Sequence, residues 1–153
     1  MSEELNQLYQ EVILDHSRKP HNFTVLEDAT CQAEGNNPLC GDHYTIYTKV
    51  ENGVITKIGF QGAGCAISKA AASMMTDQVK GKTAAEAKQF FDQYHKLVTT
   101  GESSDGPDLG KLRAFAGVRQ FPMRVKCAIL PWHAMLASLS DKSAANQPPH
   151  EHV

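Results

Sequence analysis

Three cysteines and one aspartate, Cys40, Asp42, Cys65 and Cys127, each stand in a local setting that suits a metal ligand. Asn37-Pro38-Leu39-Cys40-Gly41-Asp42 reads as a tight polar loop just before a strand. Gly62-Ala63-Gly64-Cys65 is a glycine turn just before a helix, and Arg124-Val125-Lys126-Cys127 leads into the last helix. Thiolates and a carboxylate held in this way can close a tetrahedral zinc site. The N-terminal end of a helix, expected at Cys65 and at Cys127, favours the thiolate that a metal needs.

These residues meet only if the chain folds suitably, and a hairpin supplies most of the means. Residues 44 to 60 read as two antiparallel strands, with Cys40 and Asp42 before the first and Cys65 after the second. Those two ends of a hairpin lie side by side. A two-residue Asn52-Gly53 turn would set Val50 opposite Ile55 and put Lys57 on the face of Ile46. A three-residue loop, Glu51-Asn52-Gly53, sets Val50 opposite Val54, Thr48 opposite Thr56, Ile46 opposite Ile58 and Tyr44 opposite Phe60. The second register collects the apolar residues on one face and is the one expected, with Gly53 left-handed in a bulge. Cys127 must arrive on a C-terminal helix packed against the same sheet.

The other elements follow from periodicity and punctuation. Leu5, Leu8, Tyr9, Val12, Ile13 and His16 recur at helical spacing, Glu3 and Glu4 suit the first turn, and Arg18-Lys19-Pro20 ends the helix. A further strand is expected near residues 29 to 34. Residues 66 to 79 form an Ala-rich helix turning Ile67, Ala70, Ala71 and Met74 to the core, with Gly81 after its end. Thr83-Ala84-Ala85-Glu86 is a capping box for a helix with Ala87, Phe90, Phe91, Tyr94, Leu97 and Val98 on one face. Residues 101 to 107 form a loop, and Asp108 caps a short helix bearing Leu109, Leu112 and Phe115 and ended by Gly117. The last helix is expected from about residue 127 to 139, with Pro131 near its first turn. The expectation is an α+β fold, a small antiparallel sheet of about three strands against about five helices. Residues 1–140 form one domain, and 141–153, with Pro148-Pro149, a disordered tail.

Composition narrows the function. The chain has 153 residues, 41% hydrophobic and 21% charged, as in an ordinary globular protein with a real core. A net charge of −2 gives no reason to expect nucleic acid. No apolar run is long enough to span a bilayer, so no membrane partner is expected. The acidic start, Met1-Ser2-Glu3-Glu4, lacks the regions of a signal peptide, which points to the cytoplasm. Four cysteines in a reducing compartment point to metal or sulfur chemistry rather than to disulfides.

Each residue also has a plainer reading. A lone cysteine is most often a small buried hydrophobe, and Cys31, in a strand-like run without a glycine turn, is given no ligand role. Cys40-Gly41-Asp42 differs, because Gly41 leaves room for a second ligand two residues away and its polar surroundings are poor core residues. His16 and His21 flank the first helix end and read as structural or surface residues. His43 should point away from the metal, His133 lies in the last helix with Trp132 and reads as a core-packing residue, and His150 and His152 belong to a solvated tail.

Gly35-Asn36-Asn37-Pro38-Leu39-Cys40-Gly41-Asp42, Gly62-Ala63-Gly64-Cys65-Ala66-Ile67-Ser68 and Arg124-Val125-Lys126-Cys127 together resemble the iron–sulfur cluster assembly proteins of the IscU/NifU N-terminal superfamily. The resemblance covers roughly residues 5 to 139. The scaffold branch of that superfamily carries a histidine just before the third cysteine, where this chain has Lys126, and a shorter stretch between Cys65 and Cys127. Both departures resemble the SufU type. The resemblance implies a sulfurtransferase that binds Zn2+ through Cys40, Asp42, Cys65 and Cys127. It further implies that Cys40 accepts persulfide sulfur from a SufS-type cysteine desulfurase, that Arg124 supports it, and that downstream Suf cluster-assembly proteins follow. Taken alone, Arg124 is as readily a surface cation.

Zinc keeps thiolates deprotonated and has no redox chemistry of its own, so a zinc-bound Cys40 would be a stored nucleophile. Asp42 is the ligand expected to exchange first, since a carboxylate is a weaker zinc partner than a thiolate. Arg124 could hold the released carboxylate. The alternatives are a scaffold for a transient iron–sulfur cluster on the same ligands and a purely structural zinc module. A hydrolytic zinc enzyme is disfavoured, because a closed four-ligand site leaves no position for water.

Overall fold

Asn52 and Gly53 both take left-handed backbone, with φ of 53° and 79°, and reverse the chain between two long strands. In the computed structural model, which describes residues 3–38, 41–101 and 109–140, these are β2 (Asp42–Glu51) and β3 (Val54–Ala63). Two successive positive φ values suit the tight hairpin turn whose twist matches that of its strands. The turn is therefore the two-residue one, with Val50 opposite Ile55, and the three-residue loop expected from sequence is not formed. A bulge between Lys49 and Val50 then shifts the pairing, so that Lys49 faces Lys57, Ile46 faces Phe60 and Tyr44 faces Gly62. The extra residue moves Lys57 off the apolar face, which removes the objection to the short turn.

The third strand, β1 (Cys31–Asn37), pairs antiparallel with β2 from Cys31 opposite Thr48 to Asn37 opposite Asp42, giving the order β1-β2-β3. It runs further toward the cysteine loop than the segment expected from sequence. One sheet face carries the buried Tyr44, Ile46, Thr48, Ile58 and Phe60.

Helical segments pack against that face and on one another. They are α1 (Glu3–Arg18), α2 (Ala66–Val79), α3 (Ala84–Thr100), a 3-10 helix (Gly110–Gln120) and α4 (Pro122–Ser140). α4 packs on β1 and β2, α2 packs on β3, α1 and α4, and α3 packs on α4 and the 3-10 helix. Thr83 and Glu86 form the expected capping box. The 3-10 helix buries Leu109, its N-cap, together with Leu112 and Phe115 as expected, but continues past Gly117 to Gln120. Asp108 and residues 102–107 lie outside the described residues, as does the tail 141–153. Trp132 of α4 stacks on Tyr94 of α3 at 5.0 Å between ring centroids, and Phe115 meets Tyr94 edge-on at 5.8 Å. The architecture is α+β, three antiparallel strands against five helical segments.

α4 begins at Pro122, earlier than expected, with proline at the first helical position, where its missing N–H costs nothing. Two corrections follow. Cys127 lies in the second turn of α4 and not at its N-terminus, so helix-end stabilisation of its thiolate does not apply. Pro131 lies inside the helix, where it removes the usual donor to the carbonyl of Cys127. No described helix is long and apolar enough to cross a membrane.

Candidate metal centre

Asp42 opens β2, Cys65 caps α2 and Cys127 comes from α4. One ligand atom from each lies within 4.8 Å of the other two. Asp42 is fully buried and Cys127 is 2% exposed, while Cys65 is half-buried. Cys40 lies in the short connection between Asn37 and Asp42, which are paired in register, and falls outside the described residues with Leu39. Asn37 and Asp42 are buried, contrary to the sequence reading of this stretch as a polar loop of poor core residues.

The Asp42 carboxylate is fixed by one oxygen. Oδ1 accepts the Cys65 backbone N–H at 2.9 Å and the Ser68 hydroxyl at 3.1 Å. The Tyr44 hydroxyl stands 2.9 Å from Ser68 Oγ and completes a chain from Tyr44 through Ser68 to Asp42. Burial pushes the Tyr44 pKa up to about 12, and Asp42, Cys65 and Cys127 push the same way against the Ser68 hydrogen bond, so the phenol stays neutral. The other oxygen, Oδ2, is buried without a hydrogen-bond partner among the described residues. A buried carboxylate oxygen left unpaired is costly. This carboxylate, one of whose oxygens lies within 4.8 Å of two cysteine sulfurs, is part of an arrangement a bound cation would complete, and the donor set S, S, O suits zinc or iron.

Cys65 Sγ accepts the N–H of Ser68 at 3.4 Å and so caps α2 with sulfur. Its approach depends on Gly64. A Cβ there would collide with Asp42 Oδ1 and stand 2.6 Å from Ser68 Oγ and 2.7 Å from the Tyr44 oxygen. Gly62, with φ of 140°, lets the end of β3 pass against the His43 carbonyl, where a Cβ would also collide.

The remaining expectations sort clearly. Arg124 is exposed on the first turn of α4, its guanidinium 4.8 Å from the centre of the Phe121 ring. Lys126 and His43 are exposed. Cys31 begins β1, away from the cluster. His133 lies 5.1 Å from the Phe91 ring, and His150 and His152 are outside the described residues. Ser68 and Tyr44, which orient Asp42, were not singled out from sequence. The Cys65-to-Ser68 spacing is that of an N-cap and its third helical residue, and was the available signal. His16 and His21 also do more than the sequence reading assigned them: with Asp77 they form a second group whose ligand atoms lie within 4.8 Å of one another.

A three-stranded antiparallel sheet presenting a carboxylate and two cysteines from a strand start, a helix cap and a C-terminal helix defines a class of iron–sulfur assembly proteins. Comparison with known proteins gives the same class. Residues 8–128 match the family model of the NifU-like N terminal domain. The chain belongs to this family, the IscU/NifU/SufU superfamily of iron–sulfur cluster assembly proteins. It is 37% identical over 142 residues to the zinc-dependent sulfurtransferase SufU of Bacillus subtilis, covering 93% of this chain and 96% of that protein. It is 40% identical over 142 residues to the iron–sulfur cluster assembly scaffold protein IscU of Streptococcus pyogenes, covering 93% of this chain and 87% of that one. The crystal structure of a putative iron–sulfur cluster assembly scaffold protein for the SUF system from Fervidobacterium islandicum superposes with a TM-score of 0.79 at 35% identity, over 88% of this chain and 98% of that one. A role in iron–sulfur cluster assembly follows from membership of the family.

Proposed function

We propose that this chain is a zinc-dependent sulfur acceptor that takes persulfide sulfur from a cysteine desulfurase in the cytoplasm and passes it toward iron–sulfur cluster assembly. The observation that carries the reading is the buried Asp42 carboxylate, held by the Cys65 N–H and the Ser68 hydroxyl through Oδ1, with one of its oxygens within 4.8 Å of the Cys65 and Cys127 sulfurs. Cys40, Asp42, Cys65 and Cys127 would be the ligands. Bound zinc would keep the thiolates deprotonated without redox chemistry of its own. The Cys40 thiolate attacks the outer sulfur of the desulfurase persulfide. A new S–S bond forms on Cys40, the old one breaks, and the desulfurase leaves as its thiolate. Arg124, on the exposed turn before Cys127, would steady the carboxylate when Asp42 is released. Lys126, where the scaffold branch has histidine, supports the same reading.

The second reading is a scaffold for a transient iron–sulfur cluster on the same donors. The comparisons weigh toward it, since of the three proteins named above two carry the scaffold name and one is named as the sulfurtransferase. One pair of measurements separates the two. Protein purified without added metal should be colourless and carry tightly held zinc, and it should accelerate alanine release by a cysteine desulfurase, with Cys40→Ala abolishing the effect. A brown protein with stoichiometric iron and no acceleration would leave the scaffold reading standing.

A further inference from the structure

The second ligand cluster lies at the junction of three segments. His16 is in the last turn of α1, His21 follows Pro20 in the loop beyond it, and Asp77 is in the last turn of α2. The His16 and His21 rings are 4.5 Å apart between centroids. His21 Nδ1 lies 2.5 Å from Asp77 Oδ2. His16 is buried, 7% exposed, while His21 and Asp77 open to solvent.

Each of the three is held by a further group. Ser73 Oγ lies 2.7 Å from His16 Nδ1 and accepts the His21 backbone N–H at 2.7 Å, so one hydroxyl sets both histidines. The His16 ring is thereby left with Nε2. Asn22 takes a left-handed φ of 59° and donates from its amide to Thr76 Oγ1 at 2.9 Å and to Asp77 Oδ1 at 3.3 Å. That contact holds the Asp77 oxygen that does not face His21. Metal-bound histidines and carboxylates carry outer partners of this kind, which fix ring orientation and ligand direction.

We propose that His16, His21 and Asp77 form a second divalent metal site, for zinc or a similar borderline transition ion, separate from the cysteine centre. Two imidazoles and one carboxylate with an exposed side suit such an ion with water in its remaining positions. Two ligand atoms on a tetrahedral zinc at about 2.0–2.1 Å stand about 3.3 Å apart. The His21–Asp77 pair must therefore open by less than about 1 Å from its present hydrogen bond, which two exposed side chains can do. The bridging proton leaves as the ion enters. Arg18, Lys19 and Lys111 line the adjoining cavity with Asp15. Their charge makes this the weaker of the two centres, filled only after the thiolate site.

Zinc and cobalt(II) titrations of the full chain test the proposal, with His21→Ala, Asp77→Asn, Ser73→Ala and the double variant His150→Ala/His152→Ala. His21 and Asp77 are exposed, so their variants should fold. The expected result is two equivalents of zinc in the parent, the second weaker and raising the melting temperature. The first cobalt equivalent should show thiolate charge-transfer bands and the second only ligand-field bands of nitrogen and oxygen donors. His21→Ala and Asp77→Asn should lose the second equivalent and keep the first with its thiolate bands. Ser73→Ala should weaken the second by about 10–100-fold. A single equivalent in the parent would overturn the proposal, and so would a second one that survives His21→Ala or disappears only with the tail histidines.

Discussion

The Asp42 carboxylate accepts the backbone N–H of Cys65 at 2.9 Å, joining the first residue of β2 to the N-cap of α2. The bond sets one candidate ligand by another before any ion is bound. A backbone donor has no side-chain rotamers to lose, and a charge-assisted bond to a carboxylate is among the stronger kinds. Ser68, one turn along α2, adds a second donor to the same oxygen. The hairpin thus brings the two ends together and the helix cap locks them.

Gly64→Ala should break this arrangement. The added methyl meets Asp42 Oδ1, Ser68 Oγ and the Tyr44 hydroxyl, all on buried or fixed groups. Overpacking of this kind costs about 1–3 kcal/mol. The expected outcome is a lower melting temperature and weaker zinc binding in chelator competition. Unchanged values for both would show that β3 and α2 can shift apart there without loss.

Ser68→Ala should leave the fold intact and loosen Asp42. It removes one of two donors to Oδ1 and the partner of the Tyr44 hydroxyl. Losing an outer partner of a metal ligand typically weakens binding by about 10–100-fold, while a buried phenol left unpaired costs about 1–3 kcal/mol. Ser68→Ala combined with Tyr44→Phe should therefore recover much of the stability but not the zinc affinity. Recovery of both together would mean that Ser68 acts on packing alone.

Several of these features were legible in the residues and several were not. The glycine turn before Cys65, the Thr83 capping box and the Ala-rich α2 follow local rules, and local rules sufficed. The hairpin register did not. Asn52-Gly53 signals the short turn, but the bulge at Lys49/Val50 that makes it compatible with an apolar face leaves no mark in the alternation itself. The start of α4 was signalled by Pro122 and obscured by the exposed cations Arg124 and Lys126, which resemble loop residues. Burial of Asn37 and Asp42 could not be read from residue type, since asparagine and aspartate are mostly exposed and are buried only where a particular site holds them.

Asp28 supplies a pH-dependent prediction away from the centre. Lys49 and Lys57 stand opposite each other across β2 and β3, an unfavourable like-charge pair. Asp28 Oδ2 accepts from Lys49 Nζ at 3.0 Å and from Lys57 Nζ at 3.2 Å. The Lys49 hydrogen bond first, then that of Lys57, lowers the Asp28 pKa from 3.8 to about 2. A depressed carboxyl pKa stabilises the fold above the unfolded value, so the contribution is complete above about pH 4 and is lost as pH falls toward about 2. Because all three groups are solvated, the effect should be small and should fade in high salt. Carboxyl titration by NMR should place the Asp28 midpoint near 2 at low salt. A midpoint at the ordinary 3.8 would mean that the two lysines do not hold it.

Asp42→Cys is the sharpest test of the proposed relay. A site with a purely structural role gains from the tightest ligand set, and four thiolates hold zinc more tightly than three with a carboxylate. A carboxylate at position 42 is useful if one ligand must be released when the desulfurase docks. The exchange has a structural cost, because Cys65 N–H and Ser68 O–H lose their oxygen acceptor. The metal-free variant should therefore be less stable by about 1–3 kcal/mol, while the zinc-bound variant should match or exceed the parent in zinc affinity. It should nonetheless stimulate alanine release less than the parent does. Asp42→Ala should weaken zinc binding outright. Asp42→Asn keeps an oxygen at Oδ1 for both donors but removes the charge, and so separates loss of the hydrogen bonds from loss of the ligand. If Asp42→Cys binds zinc tightly and stimulates the desulfurase as well as the parent, release of Asp42 is not a step in sulfur transfer, and the carboxylate serves only to complete the centre.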